Sequence, residues 1–135
     1  MDIFVFTSFP VLAAWSVALL VIHVMLQARL VTRELGRKWN AGPRDEEKTP
    51  KGALAGRAVR ASANFRETYP AFVALALGLA IADPLSGWGH AGALLWFAAR
   101  LIYIPLYLSG IPYIRSAAWT VAMLGLLAMF LTLVM

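Results

Sequence analysis

Four polar residues in the middle of the chain recur at the spacing of one helix face: Arg57, Arg60, Asn64 and Glu67. Positions three and four apart lie on the same side of an α-helix, so these side chains form one polar stripe. At a rise of 1.5 Å per residue the stripe is about 15 Å long. Ala53 and Ala71 extend the same face with small side chains, which leaves space beside the charges. A ligand could lie along this face.

The chemistry of this stripe suits a zwitterion. The guanidinium of arginine offers a rigid fork to carboxylates, and a glutamate accepts hydrogen bonds from an ammonium. Ionisable groups inside a membrane span are costly, so they face the bundle interior, a partner or a watery cavity. A purely structural alternative stays open, in which Arg60 and Glu67 pair with other helices.

A second set of residues repeats this spacing further along the chain. Arg100, Tyr103 and Tyr107 lie at offsets of 0, 3 and 7, with Trp96 one turn earlier, so they share a helix face. Tyrosine near a membrane boundary often serves only as an interfacial anchor, and for Tyr107 both interpretations remain open. The mid-span position of Arg100 favours a functional role.

The elements that must position these residues follow from composition. The chain has 135 residues, of which 61% are hydrophobic and 14% are charged, against about 25% charged in soluble domains. A membrane span needs about 20 mostly apolar residues. We therefore predict an all-α integral membrane protein with a single domain and four transmembrane helices. The predicted spans cover residues 3–28, 57–82, 93–108 and 116–135, and a basic connection covers 29–56.

The distribution of positive charge predicts the orientation. Lysine and arginine in short loops stay in the cytoplasm, which places the 29–56 connection and Arg115 there and both termini outside. The first residues lack the positive region of a cleavable signal peptide, so we expect the first span to be retained. The net charge of +5 then reflects topology, and nucleic acid is the weaker explanation because the positive residues lie beside spans.

Cysteine and histidine usage excludes several site types. No cysteine is present, so thiol chemistry requires a bound thiol. His23 and His90 fall in different elements without a nearby pair of carboxylates, so we expect no metal site.

The run from Arg57 to Pro70, RAVRASANFRETYP, resembles the signature of the MAPEG family, the membrane-associated proteins in eicosanoid and glutathione metabolism. The shared pattern is Arg-x-x-Arg-x-x-x-Asn-x-x-Glu-x-x-Pro, and the four spans and basic first connection agree over essentially the whole chain. This resemblance implies a homotrimer that binds glutathione between adjacent subunits near the cytoplasmic side. A lipophilic electrophile would approach from the bilayer.

The resemblance also implies roles for particular residues. Those expected to hold glutathione are Arg60, Asn64 and Glu67, with Arg57 as a weaker addition, then Arg100, Tyr103 and Tyr107, and more loosely Arg33. Arg115, followed by Ser116, corresponds to the arginine that stabilises the thiolate. Where some eicosanoid-forming members have Gln and Tyr within the signature, this chain has Ser62 and Thr68. These differences favour a general bacterial-type member, which we expect in the inner membrane.

The expected function is therefore that of a glutathione-dependent membrane transferase or peroxidase acting on lipophilic electrophiles. Two alternatives remain. One is a small proton-coupled transporter in which Glu67 is protonatable and Arg100 is its counter-charge. The other is a glutathione-binding membrane protein without catalysis.

Overall fold

The computed structural model describes residues 7–135, which fold into helices without any β-strand in this part of the chain. Four helices are long and apolar enough to cross a membrane, which confirms the predicted all-α membrane architecture. A short fifth helix lies in the first connection. The helices are α1 (Phe9–Leu35), α2 (Arg37–Ala41), α3 (Ala53–Ala82), α4 (Gly87–Leu108) and α5 (Pro112–Val134).

The long helices extend beyond the predicted spans because their ends follow local signals. Helix α1 begins with Pro10 in its first turn and continues past residue 28 until Gly36, whose φ of 92° ends it. The predicted start of the first span at residue 3 lies outside the described residues. Helix α4 begins where the Ser86 hydroxyl accepts a hydrogen bond from the Gly89 amide, and α5 begins with Pro112.

Two helix pairs, α1 with α3 and α4 with α5, pack side by side around an aromatic core. The Phe72 and Trp96 rings stack with centroids 3.8 Å apart, and both side chains are fully buried. Many apolar side chains on the outer surface are exposed instead, among them Ile81, Leu101 and Leu124. So large an apolar surface is typical of contact with lipid.

Helices α4 and α5 approach each other at two facing glycines. A Cβ atom built on Gly125 would lie 2.6 Å from the Gly92 carbonyl oxygen and 2.9 Å from the Trp96 backbone nitrogen. Small residues at such positions let helix backbones come close, which is a main source of packing energy in membranes. Because the neighbours are backbone atoms, neither helix can yield locally to a side chain.

We therefore expect Gly125→Ala to destabilise the detergent-solubilised protein by about 1–3 kcal/mol, the usual cost of overpacking. The measurement is the melting temperature by intrinsic fluorescence. Gly87→Ala is the matched control, because a Cβ atom there has nothing within 4 Å. Equal melting temperatures for the two variants would contradict the close approach.

The connection between α1 and α3 is tied to both helices. The Glu34 carboxylate near the end of α1 accepts hydrogen bonds from the amides of Lys51 and Gly52 at the start of α3. These amides have no partner within their helix, and the positive end of the helix dipole favours the carboxylate. Earlier in the connection, the hydrogen bond and charge of Lys48 lower the pKa of the Glu46 carboxyl.

Candidate functional site

A cleft of about 430 Å³ lies between α3, α4 and α5. It is lined by residues from all three helices: Arg60, Ala63, Asn64, Glu67, Tyr103, Tyr107, Arg115, Ser116 and Trp119. Seven of the ten predicted site residues belong to this set, although they lie as far apart in sequence as positions 60 and 116. The volume falls within the range of about 300–1,000 Å³ that is usual for small-molecule sites.

Helix α3 contributes charges of both signs to the cleft. Arg60 and Glu67 are exposed into it, and among residues 7–135 neither forms a hydrogen bond or a salt bridge with another side chain. The structural alternative of a salt bridge to another helix is therefore not seen among residues 7–135, although the charge of Glu67 still acts electrostatically on Arg100 of α4. Arg60 and Glu67 thus present two opposite charges without a salt bridge, about 10 Å apart along the helix axis, to a ligand in the cleft.

Helices α4 and α5 supply an aromatic wall that carries a cation. Tyr103 and Tyr107 contact each other with ring centroids 5.4 Å apart. The guanidinium carbon of Arg115 lies 4.7 Å from the centroid of the Tyr107 ring. This cation–π contact orients the half-buried Arg115 across the α4–α5 hairpin and leaves its N–H groups for the cleft. The Ser116 hydroxyl, in contrast, donates to the Pro112 carbonyl of its own helix.

Arg100 lies behind the cleft rather than in its wall. Its side chain is completely buried, and Nη1 donates a hydrogen bond of 2.9 Å to the Asn64 side-chain oxygen. The guanidinium also lies over the rings of Phe65 and Tyr103, at 5.2 and 4.7 Å. Because the Asn64 oxygen is engaged by Arg100, its amide nitrogen is directed to other partners. We therefore interpret Arg100 as a positioning residue.

Two further predicted residues lie elsewhere. Arg57 belongs to the polar stripe, but its Nη1 donates to the Leu108 carbonyl at the end of α4, 3.1 Å away. Helix ends leave carbonyls without intrahelical partners, so this bond caps α4. Arg33 lies on another surface near the end of α1, in a groove with Arg29 and Arg37. Neither residue lines the cleft.

The cleft also includes residues that the sequence interpretation did not assign to it. Ala63 provides room beside Asn64, and Trp119, 38% exposed, forms the rim one turn beyond Arg115. Trp119 lies four positions after Arg115, so helical spacing alone would have placed it on the same face. Ser62, one of the departures from the signature, is fully buried and does not line the cleft.

Together these features define a helical integral membrane protein in which charged residues of two spans and tyrosines of a third line one cleft. The model of the MAPEG family matches residues 12–135, nearly the whole chain, and the protein belongs to this family. Comparisons with curated proteins and with solved structures gave no match. Membership fits glutathione-related transferase or peroxidase activity in general, and the family also includes members that are not enzymes.

Proposed function

We propose that the cleft binds glutathione and activates its thiol for attack on a lipophilic electrophile or peroxide. The observation that carries this proposal is the convergence of Arg60, Glu67 and Arg115 on one cleft, without a salt-bridge partner among residues 7–135. Glutathione carries carboxylates, an ammonium and a thiol. The cleft offers a guanidinium for a carboxylate, a carboxylate for the ammonium and a second guanidinium for the sulfur.

The reaction depends on the thiolate, because a thiol with a pKa near 8.5 is mostly protonated at neutral pH. A guanidinium favours the charged form, and it does so more strongly where water is scarce. We assign this role to Arg115, with Arg60, Asn64, Glu67, Tyr103 and Tyr107 holding the remainder of the tripeptide. Ser116 is a candidate for a further contact to the sulfur, for which its hydroxyl would have to leave the Pro112 carbonyl.

Approach of the second substrate from the bilayer fits the position of Trp119 at the rim of the cleft. The bilayer concentrates an apolar electrophile, and the bound thiolate is then close to it, so proximity supplies part of the rate. The proposed assembly is a homotrimer, in which a neighbouring subunit could bring Arg33 to the site. The proposed location is a bacterial inner membrane, with both termini outside and the basic connection in the cytoplasm.

Isothermal titration of glutathione into the detergent-purified protein, with thiolate absorbance recorded in parallel, tests this function. We expect saturable binding and a thiolate signal, followed by turnover with a panel of electrophiles and organic peroxides. Binding without turnover across that panel would favour the non-catalytic alternative. Absence of both binding and thiol dependence would overturn the proposal and direct attention to proton-coupled flux in vesicles.

A further inference from the structure

A second polar cleft, of about 400 Å³, lies between α1 and α3 beneath the first connection. It is separate from the candidate site, because Arg66 in its wall is rotated by about 200° around α3 from Asn64. Its lining combines two arginines, two amides and an indole with aliphatic side chains: Val24, Gln27, Ala28, Val31, Trp39, Asn40, Arg44, Pro50, Val59 and Arg66. None of these described residues is acidic.

Arg66 turns toward the start of its own helix. Its Nε donates to the Ser62 carbonyl, one turn earlier, at 3.3 Å. This contact carries the guanidinium out of the apolar part of α3 and toward the polar connection, as expected for a long cationic side chain near a membrane boundary. Its two terminal nitrogens make no hydrogen bond or salt bridge within residues 7–135.

Arg44 has a strained backbone conformation and is held in the same cleft by contacts with two residues, Asn40 and Trp39. Its φ of 60° is the only positive value at a non-glycine residue in the described chain, and such strain persists where the surroundings enforce it. Nη2 donates to the Asn40 side-chain oxygen at 2.6 Å, Nε and Nη2 also donate to the Asn40 carbonyl, and the guanidinium lies 5.0 Å from the Trp39 ring. Its Nη1 remains for a ligand.

Two guanidiniums without a carboxylate partner are able to bind an anion together, and a phosphate group matches their forked geometry. The aliphatic side of the cleft indicates the source of that phosphate. Val24, Ala28 and Val31 follow one face of α1, and Val24 is 46% exposed on the apolar outer surface. An acyl chain linked to the phosphate could continue along this face of α1 into the bilayer. Basic pockets between membrane helices are known sites for anionic head groups.

We propose that this cleft binds the phosphate of an anionic phospholipid, with Arg44 and Arg66 on the head group and α1 along an acyl chain. Native mass spectrometry of the detergent-purified full-length protein tests this, with dioleoyl phosphatidylglycerol and dioleoyl phosphatidylcholine as probes. We expect phosphatidylglycerol to bind at least fivefold more tightly. Arg44→Gln and Arg66→Gln should each weaken its binding about fivefold, in line with the contribution of one arginine near an anionic surface.

The controls distinguish a specific lipid site from non-specific electrostatic attraction between the basic protein and an anionic lipid. Arg37→Gln removes the same charge from an exposed position outside the cleft and should leave binding unchanged. Arg66→Lys, which keeps the charge and loses the fork, should retain part of the preference, and unchanged melting temperatures would show that the variants fold. An equal loss in Arg37→Gln, or no preference over phosphatidylcholine, would overturn the proposal. If inorganic phosphate displaced bound phosphatidylglycerol as effectively as further lipid does, the assignment of a lipid as the ligand would be wrong.

Discussion

Replacing Arg115 by methionine is expected to remove the glutathione thiolate signal and to lower turnover about 100-fold, comparable to loss of one preorganised donor to a developing anion. Arg115 is fixed over the Tyr107 ring at 4.7 Å, so its charge is in place before the thiol arrives. Methionine keeps an unbranched apolar stem and removes only the cation. The measurement is thiolate absorbance at saturating glutathione, together with kcat for the most active electrophile.

Two further variants sharpen this test. Arg115→Lys retains the charge but loses the planar group that stacks on Tyr107, so we expect an intermediate thiolate yield. Arg37→Met, at an exposed position on α2 outside the cleft, should behave as the native protein. If Arg115→Met keeps both the thiolate signal and turnover, the sulfur is stabilised by another group and the assignment of Arg115 is wrong.

Glu67→Gln is expected to weaken glutathione binding roughly 10- to 100-fold, because hydrogen bonds to charged groups contribute roughly 1.5–3 kcal/mol. The substitution keeps the shape of the side chain and removes its charge. Glu67 has no salt bridge within residues 7–135, so its loss should affect the ligand far more than the fold. Calorimetric titration gives the Kd, and the melting temperature shows that the fold is preserved.

A glutathione analogue without the amino group identifies the atom that Glu67 contacts. This analogue should bind the native protein more weakly than glutathione does. The Glu67→Gln substitution should then change the Kd of the analogue only slightly. Glu47→Gln changes an exposed carboxylate of the connection and should leave the Kd unchanged. An equally large effect of Glu67→Gln on both ligands would show that Glu67 acts elsewhere in the site.

Helical periodicity predicted which residues of one helix share a face, but it did not predict which residues of different helices meet. Arg60, Asn64 and Glu67 were expected on one face because the spacing of an α-helix is fixed, and the structure places all three in the same cleft. Arg57 follows the same spacing, yet it caps the end of α4. Periodicity gives the direction of a side chain around its own helix, whereas the element that lies opposite depends on tertiary packing.

Arg100 illustrates the same limit at a buried position. Its spacing placed it on a face with Tyr103 and Tyr107, but the wall of the cleft is formed by the tyrosines, and Arg100 lies behind them bound to Asn64. The second cleft was not anticipated either, because Arg44 and Arg66 lie 22 positions apart, on a loop and on a helix. No local pattern links residues of that kind.

The sequence by itself determined the class of protein. Apolar segments of this length satisfy their backbone hydrogen bonds in lipid by forming helices. It also determined that Arg60, Asn64 and Glu67 of the second span lie on one face. Tertiary structure decided which charges meet. The approach of α4 and α5 at Gly92 and Gly125, with the hairpin turning at Gly110 at a φ of 74°, brings Arg115 onto Tyr107. Contacts of that kind depend on the distance between helix axes, which packing sets and periodicity within one helix does not encode.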